Sequence, residues 1–304
     1  MNRICVVGSL NMDMAISTPR IPLVGETILG SGFMTVPGGK GANQAVAAAR
    51  LGGDVSMVGC VGDDPYGCEL LGNLESAGVE TDSVSIIHEG HTGVAVIVVG
   101  KDGDNFIIVD QGANLHLNTE RLDRYRYVME KSNLLMLQLE IPSGTVEYAV
   151  DIAARSGVPV FLDPAPAAPL GEELLSRIDI LTPNESETAM LVGFPIDSID
   201  DAGRAAALLH GRGVMQVAVT LGDKGVVYNC GDSIVHRPAF KVEAVDTTAA
   251  GDVFSGALAV SLAEGSNIDE AVEWAAASAA LAVTRKGAQT SIPDVGEVRK
   301  FLSG

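Results

Sequence analysis

The sequence predicts an α/β protein built on a mainly parallel central sheet, with a second, smaller sheet beside it. Short apolar runs alternate with Ala-rich helical patterns along most of the chain, as repeated β-α-β units do. Four other segments, at about 11–17, 27–36, 92–99 and 105–110, alternate or carry β-branched residues between Gly and Pro, the texture of a small antiparallel sheet. The 304 residues, 47% of them hydrophobic, can bury one large core, and no Pro- or Ser-rich linker divides them, so 1–304 reads as a single domain.

Taken in order, Ile4 to Val7 is the first core strand, followed by Gly8-Ser9-Leu10-Asn11-Met12-Asp13. Pro37-Gly38-Gly39-Lys40-Gly41 is a flexible glycine turn that presents Lys40 and Asn43 beside exposed backbone, chemistry suited to a polyhydroxylated ligand. A Walker A loop would need Ser or Thr after Lys40, where Gly41 stands, and a dinucleotide fingerprint would need Gly at Gln44. Further core strands are expected at Val55 to Val58, Leu134 to Leu137, Val158 to Leu162, Ile178 to Leu181 and Gln216 to Val219. Helical character falls at Gln44 to Ala49, Gly144 to Ala154, Ala202 to His210, Gly256 to Ala263 and Ile268 to Val283. Asp102-Gly103-Asp104 supports a hairpin between two strands of the small sheet, and Thr220-Leu221-Gly222-Asp223-Lys224-Gly225 reads by itself as another hairpin turn. Ligands of open α/β sheets gather beyond the carboxyl ends of strands, and Asn11, Glu140, Asn184 and Gly222 each follow a predicted strand.

The segment Asp246-Thr247-Thr248-Ala249-Ala250-Gly251-Asp252 is the richest in chemistry. Small residues at 249 to 251 leave backbone N–H groups uncovered, and the first turn of the following helix adds partial positive charge, so a phosphate fits there. Asp252 would then stand beside that phosphate, where repulsion is tolerable only for a group with a proton to take. By itself Asp252 reads equally well as a helix N-cap.

Together the two glycine-bearing stretches resemble both signatures of the PfkB-type carbohydrate kinases, and Gly38-Gly39-Lys40-Gly41-Ala42-Asn43-Gln44 is similar to the ribokinase branch. The resemblance runs in order through nearly the whole chain, by way of Gly8 to Asp13, Gln138-Leu139-Glu140-Ile141-Pro142, Thr182-Pro183-Asn184-Glu185-Ser186-Glu187 and Thr220 to Gly225. It departs at Val253 and Ser255, where relatives often carry Ser or Thr and Asn or Cys. It implies a ribokinase-like three-layer α/β/α fold whose small sheet is a lid over the sugar, often clasping a second subunit, hence a homodimer through the lid. The implied activity is ATP-dependent phosphorylation of D-ribose at O5; deoxyribose, another sugar or a nucleoside is the alternative acceptor.

The same resemblance distributes roles. Asp252 would be the general base, with backbone at Ala250 and Gly251 holding the phosphoryl oxygens, and Asn11, Asp13, Gly39, Lys40, Asn43 and Glu140 would surround the sugar. Asn184 and Glu187, with i,i+3 spacing on one helix face, would reach Mg²⁺ through waters. Thr220, Gly222, Asp223 and Gly225, with Gly251, would border ATP. Asp246, Thr248, Ala282, Arg285, Gly287 and Ser291 would hold K⁺, largely through main-chain oxygens. Each residue alone has a plainer reading: turn residues at Asn11 and Asp13, a solvated charge at Lys40, capping at Asn43 and Asn184, a loop carboxylate at Glu140, a helix C-cap around Arg285 to Gly287. A binding or regulatory protein without catalysis would not need Asp252 beside a glycine turn, and a dehydrogenase would need the fingerprint that is missing.

Charge and cysteine usage narrow the classes further. A net charge of −19 opposes binding to nucleic acid or an anionic membrane. Cys5, Cys60, Cys68 and Cys230 lack C-x-x-C spacing and read as reduced, and the chain opens directly into a strand without a signal peptide's apolar stretch, so a cytoplasmic location is expected. His88, His91, His116, His210 and His236 are scattered without metal-ligand spacing.

Overall fold

The structure, a computed structural model, describes residues 2–101 and 104–304. In chain order the strands are β1 (Arg3–Val7), β2 (Asn11–Thr18), β3 (Ser31–Gly38), β4 (Asp54–Gly62), β5 (Glu80–Ile87), β6 (Gly93–Gly100), β7 (Asn105–Asp110), β8 (Leu134–Leu137), β9 (Val160–Leu162), β10 (Ile180–Leu181), β11 (Gln216–Thr220), β12 (Val226–Cys230) and β13 (Ser233–Arg237). Nine form one sheet in the order β13-β12-β11-β10-β9-β8-β1-β4-β5, parallel from β11 to β5 with an antiparallel hairpin, β12 and β13, on one edge. The other four form a separate sheet, β3-β2-β6-β7.

Both faces of the large sheet are covered. In β1, Ile4 and Val6 join one apolar cluster while Cys5 and Val7 join the other, so a run with no polar alternation is what a doubly covered strand requires. Helices Lys40–Arg50, Ala250–Ala263 and Ile268–Ala282 pack into the first cluster, and Ser143–Ser156 and Ile199–Gly211 into the second. The four cysteines are free, and among the described residues no helix is long and apolar enough to cross a membrane.

Several expectations need correction. The small sheet is mixed: β2 pairs with β3 and β6 with β7 in antiparallel fashion, but β2 and β6 run parallel. Each leaves the large sheet at the carboxyl end of a parallel strand, β2 after β1 and β6 after β5, so both travel outward in the same direction. Residues 27–30 lie outside β3, because β2 ends at Thr18 and the last register pair is Ser17 with Ser31. Asp102 and Gly103 of the expected hairpin turn lie outside the described residues. Helices begin earlier than the apolar pattern suggests, at Lys40 and Ala250, so Lys40 stands in a first helical turn and not in a loop, and Asn43 and Asp252 lie within first turns. Strand β5 went unforeseen because its exposed edge carries Glu80, Asp82 and Ser85 among the apolar positions.

Helices Lys40–Arg50 and Ala250–Ala263 approach so closely that a Cβ on Gly256 would lie 2.7 Å from Ala47 Cβ and 3.0 Å from Gln44 O. A Gly256→Val substitution forces these helices apart and is expected to cost about 1–3 kcal/mol, as overpacked cores do. Urea denaturation reads this directly; an unshifted midpoint at constant slope would mean that the helices separate freely.

Candidate active site

Residues at the carboxyl ends of β1, β8, β9, β10 and β11 converge on the mouths of these two close-packed helices. Gly39, at φ 89°, is the N-cap of the first helix; a Cβ there would meet the Asn11 nitrogen at 2.7 Å, and one on Gly38 would meet the Asp13 carboxylate at 2.3 Å. Only glycine lets the turn cross the start of β2 this closely. Lys40 N–H donates to Glu140 Oε2 at 3.0 Å, and Ser9 Oγ donates to the same oxygen at 2.5 Å. Asn114, buried, donates from Nδ2 to Asn11 Oδ1 at 2.8 Å and accepts from Leu10 N–H at 2.9 Å.

Asp252 is 5% exposed, at the third position of its helix, so it is not the N-cap; that place belongs to Ala249. Its Oδ2 accepts from Asn43 Nδ2 at 2.9 Å and its Oδ1 from Gln44 Nε2 at 3.1 Å. Ala249 holds φ 59°, left-handed for a residue with a Cβ, a conformation costing about 1–2 kcal/mol that is stored where the helix mouth opens. Ala250 N–H donates to Thr247 O at 3.2 Å, so the expectation that it is open to a phosphate is corrected: the turn itself uses it. Gly251 and Asp252 N–H groups find no backbone carbonyl among the described residues, as expected for a first helical turn. Val253 is wholly buried and Ser255 Oγ lies 3.1 Å from Thr182 Oγ1, so both departures from the family pattern are absorbed by packing.

On the other side of Asp252 a cavity of about 50 Å³ is lined by Lys40, Asp163, Thr182, Asn184, Glu187, Thr220, Gly251 and Ser255. Asn184 and Thr220 meet in an isolated parallel bridge, with Thr220 N–H donating to Pro183 O at 2.9 Å. Asn184 caps helix Glu185–Val192 and does not lie within it: its side chain accepts from Glu187 N–H at 2.9 Å, and Glu187 Oε2 accepts from Asn184 N–H at 2.8 Å. Gly222, Asp223 and Gly225 form the turn between β11 and β12, and Asp223 is exposed. A larger cavity, about 290 Å³, opens at the amino ends of β1 and β4 beside Gly52, Gly53 and Glu264; it has no phosphate-binding cation, so size does not locate the chemistry.

Asp246 ties two loops together. Its Oδ1 accepts from Thr248 N–H at 3.0 Å and Thr248 Oγ1 at 2.6 Å, and its Oδ2 from Gly287 N–H at 2.9 Å. Burial works against its charge, yet these donors and Lys286 outweigh it and hold the carboxyl below the usual range. The structure thus joins Asp246, Thr248 and Gly287. Ala282 O accepts from Arg285 N–H at 3.0 Å, the Arg285 guanidinium turns to Glu297 at 2.7 Å, and Ser291 Oγ donates to Ala288 O at 2.8 Å.

Electrostatically the site is a crowd of carboxylates around one ammonium. Burial works against the Lys40 charge, but Asp252, Asp163, Glu140 and Glu187 together outweigh it and raise its pKa. Burial, then Glu140 and Asp252, push Asp13 up to about 7. Asp163, absent from the sequence reading, is likewise raised to about 7 by burial, with Lys40 opposing and Asp252 and Glu187 reinforcing. Its position directly after the apolar run of β9 is the signal that could have found it.

A buried carboxylate at a helix mouth, beside clustered polar side chains and a small cavity that reaches Lys40 and Gly251, suits a phosphotransferase acting on an alcohol. Residues 1–295 match the pfkB family of carbohydrate kinases. The chain is 44% identical over 303 residues to a ribokinase of Bacillus subtilis, covering 100% of both, and 39% identical over 301 residues to a deoxyribokinase of Salmonella typhi, covering 99% of this chain and 98% of that one. It superimposes with a TM-score of 0.93 on the Arabidopsis thaliana ribokinase complexed with ribose and ATP, at 37% identity, covering 100% of this chain and 99% of that one. The chain belongs to the pfkB family of carbohydrate kinases.

Burial pushes the Asp13 and Asp163 carboxyls up to about 7 in the folded chain, above the ordinary aspartate value of about 3.9 that they regain once unfolded. Between those values the folded state keeps protons that the unfolded chain has released, so ligand-free stability falls as pH rises from about 4 to about 7. Denaturation midpoints across that window should fall for the parent and flatten in Asp13→Asn and Asp163→Asn; parallel curves would show that neither carboxyl is raised.

Proposed function

We propose that this chain transfers the terminal phosphoryl group of ATP to the O5 hydroxyl of D-ribose, giving D-ribose 5-phosphate and ADP. The observation that carries this reading is Asp252, held by Asn43 and Gln44 at the seam between the sugar-side cluster and the nucleotide-side cavity. Asp252 accepts the hydroxyl proton as O5 attacks the terminal phosphorus and the bond to the bridging oxygen of ADP breaks. The Gly251 and Asp252 N–H groups and the helix dipole hold the migrating phosphoryl oxygens. Lys40, with no carboxylate within 4 Å of its ammonium among the described residues, is free to meet ligand oxygens. Asn11, Asp13, Gly39, Asn43 and Glu140 supply donors and acceptors for adjacent hydroxyls, each worth about 1–3 kcal/mol if left unpaired. Asn11 and Asp13 are both able to hold secondary hydroxyls, which favours ribose; the likeness to a deoxyribokinase keeps 2-deoxyribose as the second reading.

Thr220, Gly222, Asp223 and Gly225 border the nucleotide in this reading. Mg²⁺ on ATP would neutralise developing phosphate charge, and the hard oxygen donors of Glu187 and Asn184 suit it through intervening waters. K⁺ would supply fixed positive charge beside the anion turn, and the Asp246 carboxylate, with main-chain oxygens at Thr248, Ala282, Arg285, Gly287 and Ser291, is a donor set that fits a weakly hydrated cation. Four free thiols and the use of ATP suit a cytoplasmic enzyme. Phe33, Met34, Phe106 and Ile108, each more than half exposed on the lid, suit burial against the lid of a second copy.

A coupled ADP-release assay over pentoses, hexoses and nucleosides should give ribose the highest kcat/KM. Asp252→Asn should lose on the order of 10²-fold or more in kcat, and replacing K⁺ by tetramethylammonium should slow the parent. Near-normal turnover in Asp252→Asn would reject the base, and a nucleoside as best acceptor would reject the substrate. Sedimentation should show a dimer that Ile108→Asp dissociates; a monomer at every concentration would refute the lid interface.

A further inference from the structure

Asp252 is held at both oxygens by chains of buried primary amides. From one side Gln138 Nε2 donates to Gln44 Oε1 at 2.6 Å, and Gln44 Nε2 donates to Asp252 Oδ1 at 3.1 Å and to Asp163 Oδ2 at 2.7 Å. From the other, Asn73 Nδ2 donates to Gln289 Oε1, Gln289 Nε2 to Asn43 Oδ1 at 3.0 Å, and Asn43 Nδ2 to Asp252 Oδ2 at 2.9 Å. Every amide in both chains donates toward the carboxylate. An ionised carboxylate only accepts, so Asn43 and Gln44 must turn their NH₂ groups to it; their carbonyls then need donors, which fixes Gln289 and Gln138 in turn.

That direction has a visible cost at the far end of one chain. Gln138 Oε1 is buried without a partner among the described residues, pressed where a Cβ on Gly8 would lie 2.1 Å away. Turning Gln138 around would relieve this oxygen only by setting two carbonyl oxygens against each other at Gln44. An apolar filling would pack the same space without an orphaned oxygen, so packing alone does not account for amides here. Aligned donors polarise one another, and each Asp252 oxygen keeps a second lone pair for a substrate hydroxyl.

We propose that Gln44 and Gln289 are positioning residues for the base: they relay two converging amide chains that lock the Asp252 carboxylate in one orientation at the helix mouth, without touching the sugar. The inference rests on Asp252 being the base of the proposed reaction. It assigns Asn43 a double duty, because its carbonyl and one amide hydrogen are already committed to Gln289 and Asp252.

Steady-state kinetics and side-chain ¹⁵N spectra test it together. Gln289→Met, which leaves Asn43 free to rotate, should lower kcat by on the order of tenfold with the ATP KM within about twofold, since misorienting a reacting group acts on rate, whereas the sugar KM follows Asn43 itself. Gln289→Glu, closer in shape to the parent, should be worse than Met, because a carboxylate there accepts from Asn43 and turns its carbonyl toward Asp252. In the full-length protein without substrate, Asp252→Asn should shift the Gln289 NH₂ resonance, two amides away. Unchanged kcat in both Gln289 variants, a defect confined to KM, or an unmoved Gln289 resonance would overturn the proposal. The resonance decides the relay even if no sugar is turned over, an outcome that would instead sink the kinase reading.

Discussion

The site depends on the near-contact of helices Lys40–Arg50 and Ala250–Ala263. Gly256 against Ala47 and Ala48 is what allows it, and the alanine-rich run from Ala42 to Ala49 is therefore a spacing device as much as a helix former. Because both helices start at the same edge of the sheet, their mouths meet. Asn43 and Gln44 near the start of one then reach Asp252 in the first turn of the other, more than 200 residues later in the chain. Two helix N-termini aimed at one point supply the positive potential that an acidic chain of net charge −19 otherwise lacks.

That potential is set against an excess of carboxylates. Asp13, Glu140, Asp163, Glu187 and Asp252 surround one ammonium, Lys40, and burial first, reinforced by neighbouring carboxylates, pushes Asp13 and Asp163 up to about 7. Such a cluster is costly in the empty protein and becomes favourable as cations and hydroxyl donors enter. Binding energy and electrostatic relief thus come from the same event, which suits a site that must admit a phosphate-bearing ligand despite its own negative charge.

Much of this was legible in the residues. The strands at Leu134 to Leu137 and Gln216 to Val219 were readable because burial on both faces demands continuous apolar runs, and the small-sheet segments because β-branched runs set off by Gly and Pro mark strands. Asp252 was readable because a carboxylate after small residues at a helix start is chemically odd. The starts of the two key helices were not: Gly39 and Ala249 carry positive φ and cap without side-chain oxygens, so the usual Ser, Thr or Asp signal is missing. The parallel junction of β2 with β6 depends on where β1 and β5 end in space, which no local pattern records. Gln44 and Asp163 were passed over because a glutamine in an alanine helix and an aspartate before Pro164 look ordinary until the fold brings them to 2.7 Å.

The polarity of the parallel sheet explains why such residues share one place at all. Ser9, Glu140, Asp163, Asn184 and Thr220 come from segments far apart in sequence, yet each lies at or just beyond the carboxyl end of a strand, β1, β8, β9, β10 and β11 in turn. Once these strands pair in parallel, their carboxyl ends align along one edge and the groups become neighbours without any further specification. The small sheet follows from the same rule, since β2 and β6 are what the chain does after leaving β1 and β5 at that edge. Asn11 and Asp13 therefore arrive from outside the large sheet, and Asp252 arrives from a helix. Buried amides join these three sources, Asn43 and Gln44 at Asp252 and Asn114 at Asn11.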